Sequence, residues 1–137
     1  HRNLETRMIS AYYDPEGIIW VGTQGGGVYA SDLRKQFYQR FHQETHNEIC
    51  GMATDKKQYI WLATFHKGIL RSTKPFDPQS RLSFEPVSSG SGNTVLCVTT
   101  DKRGDLWFGN NRSELIHYHS DTGKLSIFPI RVSDNPQ

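Results

Sequence analysis

One ten-residue stretch, written three times, constrains this chain more than anything else in it. Asp14-Pro15-Glu16-Gly17-Ile18-Ile19-Trp20-Val21-Gly22-Thr23, the run from Asp55 to Thr64 and the run from Asp101 to Asn110 align without a gap, and each Asp stands six positions before a Trp. All three tryptophans occupy that one place, spaced 41 residues (Trp20 to Trp61) and 46 residues (Trp61 to Trp107) apart. A period of about 40 to 50 residues belongs to the four-stranded blades of propellers.

Each repeat resolves into four strand-like runs. Strand a is Met8 to Tyr13, Ile49 to Thr54 and Val95 to Thr100. A four-residue turn follows, Asp-x-x-Gly in the first and third repeats, where Asp bonds the backbone ahead and Gly takes positive φ. Gln58 replaces that Gly in the second repeat and makes its turn less comfortable. Strand b carries the Trp in a nearly continuous apolar run, as in Ile18-Ile19-Trp20-Val21, so both of its faces are expected to be buried. Two residues on, Gly22, Ala63 and Gly109 leave room for an indole or a neighbouring sheet. Strand c runs through Gly27 to Ala30, Gly68 to Arg71 and Glu114 to Tyr118, and strand d through Phe37 to Phe41, Leu82 to Val87 and Leu125 to Ile130. Pro86 and Pro129 suit an outermost strand, since proline cannot donate to a ladder. No 3.6-residue apolar pattern persists, so no helix is expected.

The fold class is therefore all-β: a partial β-propeller of three four-stranded antiparallel blades, spanning 1–137 as one segment with blades at 8–42, 48–87 and 94–130. Closed propellers use about 4 to 8 blades. Three imply either a piece of a longer propeller or several copies that cover each other's end blades, because a bare blade face is an apolar patch prone to association.

Composition narrows the partners. Sixteen Lys and Arg against 14 Asp and Glu leave a charge of +2, scattered rather than striped, which argues against nucleic acid. A mean hydropathy of −0.64 and no apolar run near the ~20 residues of a membrane span argue against insertion of this segment. No signal peptide is visible, and a start at His1 is what an excised or processed segment would have. Two cysteines make neither a disulfide framework nor a four-ligand zinc site.

The repeat, read as Asp-x-x-Gly-x-Ile-Trp-x-Gly-Thr-x-x-x-Gly, resembles that of the two-component regulator propellers, from about Met8 to Ile130. The resemblance is closest in the first repeat and weaker in the third, where Asn110 and Glu114 depart. It implies a periplasmic, extracytoplasmic sensor region of a hybrid histidine kinase whose parent is a dimer, binding an oligosaccharide released from a glycan and signalling across the membrane to a kinase outside this chain. No cofactor is implied. The motif residues build turns and packing rather than chemistry, so the segment is read as non-enzymatic. The alternatives are a propeller lyase or hydrolase acting on a glycan or cyclic peptide, and a protein-docking scaffold.

In propeller topology the b–c and d–a connections emerge on one face. That face would carry Gln24, Gly25 and Gly26, then Phe65, His66 and Lys67, then Asn111, Arg112 and Ser113, with His42, Gln43, His46 and Asn93 nearby. Gln24, His66, Lys67, Asn111 and Arg112 are the candidate ligand-binding residues: donors, acceptors and cations beside an aromatic suit a charged sugar. The blander reading, that loops are polar because they are wet, stands beside it.

Other candidates fall to structural readings. The tryptophans are core between blades rather than sugar platforms, since each sits in a doubly apolar strand. His117 and His119 share a strand face but lack a third ligand nearby in sequence, so no metal site is assigned. Asp14, Asp55 and Asp101 are explained by their turns. Asn110 and the loop after it are what remains individual to the third repeat. If parity turns Cys50 toward the third blade, Cys97 points back toward the second; sheets about 10 Å apart nonetheless favour two free thiols over a disulfide.

Overall fold

The computed structural model describes residues 7–14, 17–25, 27–32, 37–42, 48–77, 82–90 and 92–130. Among them stand twelve strands: β1 (Met8–Tyr13), β2 (Ile18–Thr23), β3 (Val28–Asp32), β4 (Phe37–His42), β5 (Ile49–Thr54), β6 (Ile60–Thr64), β7 (Ile69–Ser72), β8 (Phe84–Val87), β9 (Val95–Thr100), β10 (Leu106–Asn110), β11 (Glu114–His119) and β12 (Lys124–Pro129). They form three four-stranded sheets in chain order, antiparallel throughout, one per repeat. These are the three expected blades of a partial propeller. At the inner side β5 packs against β1 and against β9, and Pro86 and Pro129 lie in the outer strands β8 and β12.

The repeated Asp does more than turn the chain. One oxygen, Oδ1, accepts the backbone N–H four residues on, at 3.1 Å for Asp14, 3.0 Å for Asp55 and 3.1 Å for Asp101. The other accepts the indole Nε1 of the same repeat's Trp, at 3.0, 2.9 and 2.8 Å. Six residues of spacing therefore join turn to core, and the buried indole N–H is satisfied within its own blade. The fourth turn residue takes positive φ in all three copies: Gly17 at 91°, Gly104 at 85° and Gln58 at 72°. Only in the second does a side chain occupy that conformation, which L-residues adopt at a cost.

The hydrophobic cores lie between blades. Trp20, Val28 and Ile18 of blade 1 pack with Met52, Leu62 and Leu70 of blade 2, and Trp20 meets Phe76 edge-on at 4.9 Å. Across the next interface Trp61, Ala63 and Ile69 pack with Phe108, Leu106 and Ile116, and Trp61 contacts Phe108 at 5.9 Å and Tyr118 at 4.3 Å. Trp20 and Trp61 are at most 1% exposed, as expected of core between blades. Trp107 is half-buried on the far side of blade 3. Two residues after Trp20, Gly22 is needed for close approach: a Cβ there would lie 2.6 Å from Ile49 Cγ2 of the neighbouring blade.

The register shifts in all three inner strand pairs, between Met8 and Ser10, between Ile49 and Gly51, and opposite Gly109 and Asn110. Cys50 is the residue inserted by the second bulge, so simple alternation fails there. Cys97 pairs with Gly109, and its Sγ would be 2.8 Å from a Cβ placed on that glycine. It therefore points away from blade 2, and the expectation that it faces back is corrected. Both thiols are free.

Candidate ligand-binding face

The b–c and d–a connections do meet on one face, and backbone bonds stitch them together. Gln24 N donates to Arg7 O at 2.9 Å, Phe65 N to Glu48 O at 2.9 Å and Asn111 N to Thr94 O at 3.3 Å, three copies of one contact at the end of strands a and b. Between blades, Gln24 bridges Glu48, and its Nε2 donates to Glu48 Oε1 at 3.1 Å. Thr94 Oγ1 donates to Phe65 O at 2.9 Å, and Gly68 N donates to Asn93 O at 2.8 Å. A continuous line thus runs Gln24, Glu48, Phe65, Thr94, Asn111 across three blades.

All five candidate residues are exposed on this face. Gln24 is held by Glu48, and Asn111 by Thr94. Arg112 lays its guanidinium against Gly92, where a Cβ would come within 2.9 Å of Cζ. His66 stands edge-on to Phe65 at 4.9 Å, and Phe65 is 37% exposed. Lys67 N donates to Thr64 Oγ1 at 2.9 Å. Asn93 joins the face through its carbonyl, whereas Gly26, Gln43 and His46 lie outside the described residues and only the backbone of His42 is within them. Sequence reasoning missed Glu48 and Thr94, the residues that tie neighbouring blades. Each stands seven positions before its turn Asp, a frame the repeat alignment already contained.

Asn110, which the sequence singled out as individual to the third repeat, closes its own b–c loop. Thr23 and Thr64 donate to the carbonyls of Gly27 and Gly68 at 2.7 Å and so close the b–c loop. In blade 3 the same task falls to Asn110, which accepts from Arg112 N at 2.9 Å and Glu114 N at 3.0 Å and donates to Glu114 Oε1 at 2.8 Å. Asn110 and Glu114 are thus paired in this blade, and Ser113 supplies the positive φ, 60°, for which Gly27 and Gly68 serve elsewhere.

A second constellation lies on the half-exposed Trp face of blade 3. Its ring 5.7 Å from that of His119, His117 has its Nε2 2.9 Å from Oδ2 of the buried Asp105 and stacks on Trp107 at 4.2 Å and 18°. Asp105 Oδ1 accepts from Ser120 N at 2.9 Å. With Asp101 these groups bring ligand-type atoms within 4.8 Å of one another. Their hydrogen bonds already engage the same atoms, and Asp101 repeats what Asp14 and Asp55 do in blades that have no such neighbours. Blade 2 fills the corresponding places with Tyr59 and Arg71, the guanidinium lying 5.3 Å from the Tyr59 ring centroid and 5.4 Å from that of Trp61. The Ser120 N–H and the His117 bond, with the charge on His119, hold the Asp105 carboxyl below the usual range against the opposing effect of burial.

Residues 89–112, which run from the d–a connection through β9, the Asp101 turn and β10, match the family model described as two component regulator propeller. The third repeat is thus similar to a two-component regulator propeller repeat. The match falls there although the first repeat keeps more of the motif residues. Two crystal structures of the extracellular domain of BT4673 from B. thetaiotaomicron, one described as a hybrid and the other as a one component system, are similar in fold, with TM-scores of 0.63 and 0.62 at 16% identity. Each comparison covers 79% of this chain and 15% of the other, so this propeller chain spans about 15% of the length of those structures. No curated protein is matched. No helix among the described residues is long and apolar enough to cross a membrane.

Proposed function

We propose that this chain is a non-catalytic, ligand-sensing propeller segment of a hybrid two-component sensor, standing in the periplasm and reporting to a kinase outside the chain, in a parent that is a dimer. The observation that carries the reading is the line from Gln24 through Glu48, Phe65 and Thr94 to Asn111. It fixes the loops of three blades relative to one another, so a ligand that spans them couples to the spacing of the blades. The occupant is an oligosaccharide derived from a glycan. The exposed Phe65 ring offers a face to a pyranose, while Gln24, His66, Lys67, Asn111 and Arg112 offer donors to hydroxyl and carboxylate groups. Binding that favours one spacing shifts a population rather than creating a new state. The repeat match and the extracellular relatives support placement in a sensor.

Calorimetry against a panel of plant and host oligosaccharides, followed by a product assay on every hit, tests this. Binding without turnover, weakened by Arg112→Ala or Phe65→Ala, is the expected result. Turnover of a hit would refute the non-catalytic reading, and binding indifferent to both substitutions would refute the site.

A further inference from the structure

The register shift of each inner strand leaves one residue without a partner in the ladder: Ile9 in β1, Cys50 in β5 and Leu96 in β9. All three hold one place in the repeat, eleven positions before the Trp (9 to 20, 50 to 61, 96 to 107). A bulge kept at one place in every blade re-aims a side chain. Two residues before each stand Arg7, Glu48 and Thr94, whose carbonyls take the N–H groups of Gln24, Phe65 and Asn111, so the bulges lie at the loop-face end. The Cys50 thiol turns to that end and donates to Glu48 O at 3.8 Å.

The three bulges are neighbours across the blades. Beside Ile9, Ser10 Oγ donates to Ile49 O at 2.8 Å, and beside Cys50, a Cβ on Gly51 would lie 3.6 Å from Cys97 Cα. Neither core between blades includes Ile9, Cys50 or Leu96. Blade 3 shows where such a side chain goes. Val95 is fully buried among residues of blade 2, whereas Leu96, the next residue, is 43% exposed with blade 2 in place. Ile9 is exposed and Cys50 half-buried. The bulges therefore turn these side chains out of the interfaces and toward the mouth of the axis. There β1, β5 and β9 each pair on one side only, so their other edge offers backbone N–H and C=O groups.

We propose that Ile9, Cys50 and Leu96 form an apolar collar at this mouth that receives the acetamido group of an N-acetylated sugar. The inference rests on the reading of the loop face as an oligosaccharide site and names the sugar unit that the site selects. An acetamido group combines a methyl, which needs an apolar seat, with an amide, which needs one donor and one acceptor. The collar supplies the seat and the open edges of the inner strands supply the backbone partners. A sugar with a hydroxyl in that place leaves the seat unfilled. The polar side chains of the loop face, from Gln24 to Arg112, then hold the ring hydroxyls above the collar.

Calorimetry of the chain with di-N-acetylchitobiose and with cellobiose tests this, because the two neutral disaccharides differ only in carrying acetamido or hydroxyl groups at C2. The acetylated sugar should bind about tenfold more tightly. Leu96→Asn, at an exposed position, should keep the parent's circular dichroism and bring the two sugars level, while Phe65→Ala should weaken both by the same factor. In the native chain di-N-acetylchitobiose should slow maleimide modification of Cys50 severalfold and leave that of Cys97 unchanged. Equal affinities that both fall with Phe65→Ala would overturn the collar and leave the loop-face reading standing. A preference for the acetylated sugar that Phe65→Ala does not touch would overturn the loop-face reading instead. Binding of neither sugar, a preference that survives Leu96→Asn, or a Cys50 left unprotected would each overturn the proposal.

Discussion

Trp61 and Tyr118 meet with ring centroids 4.3 Å apart and planes tilted by 43°, and through them blade 2 is joined to blade 3. Trp61 is 1% exposed and also touches Phe108, so Trp61→Ala removes the bulkiest buried side chain of that interface. A loss of about 3 to 5 kcal/mol is expected from truncation of a buried indole, read from urea unfolding. Trp107→Ala, at the half-exposed end, should cost clearly less. Equal losses would contradict a core located between blades.

Gln58 holds φ at 72° where the sister turns use glycine. Strain of about 1 to 2 kcal/mol in that conformation, offset by the greater chain entropy glycine loses, about 0.5 to 1 kcal/mol, makes Gln58→Gly stabilising on balance. A rise in the urea midpoint is expected; a fall would mean that the Gln58 side chain contributes more than its backbone costs.

The acid side of the stability profile should report blade 3. The Trp107 Nε1 bond, then the N–H groups of Arg103 and Asp105 and the Arg103 charge, hold the Asp101 carboxyl below its ordinary value while desolvation works the other way. Asp105 is lowered too, chiefly by Ser120 N–H. Carboxyls whose folded values lie below the unfolded one stabilise the fold fully above the unfolded value, about 3.9, and lose that contribution as pH falls through the folded values. Asp101→Asn with Asp105→Asn should therefore be less stable than the parent at neutral pH, and the gap should narrow below about pH 4. A gap independent of pH would disprove the linkage.

Both cysteines are free, and their surroundings differ. Burial first, then the charge of Glu48, pushes the Cys50 thiol up, while Cys97 is exposed. Denatured without reductant, the protein should titrate two thiols. In the native state a maleimide should modify Cys97 well before Cys50, and peptide mapping would expose the reverse order.

Much of the fold was legible because the Trp anchors a frame. Strand a matched at both ends in all three repeats, since apolar runs bounded by Asp turns leave little choice. The double burial of β6 and the outer place of Pro86 and Pro129 followed from pattern alone, whereas β2 and β10 bury one face fully and the other by half. The indole bond of each Asp did not, because a turn already accounts for an Asp there and nothing local reveals where its second oxygen points. Asp105 with His117 was hidden for a related reason: they are twelve residues apart in sequence and meet only across β10 and β11. Cys97 was misjudged because a bulge leaves no mark on residue type. At the loop face, the side of the sheet could be read from topology, but Glu48 and Thr94 became visible only through bonds between blades.

Among the described residues each hydrophobic core is shared by two neighbouring blades. A further copy of the unit spliced between blades would replace one junction by two of the same kind and leave every other contact as it was. Lengthening by duplication is thus nearly free of mechanical penalty for such a chain, as it is for linear arrays whose stability adds unit by unit. The pairing of Asn110 with Glu114 and of Asp105 with His117 belongs to blade 3 alone among the described residues, so only a copy of that unit would carry them.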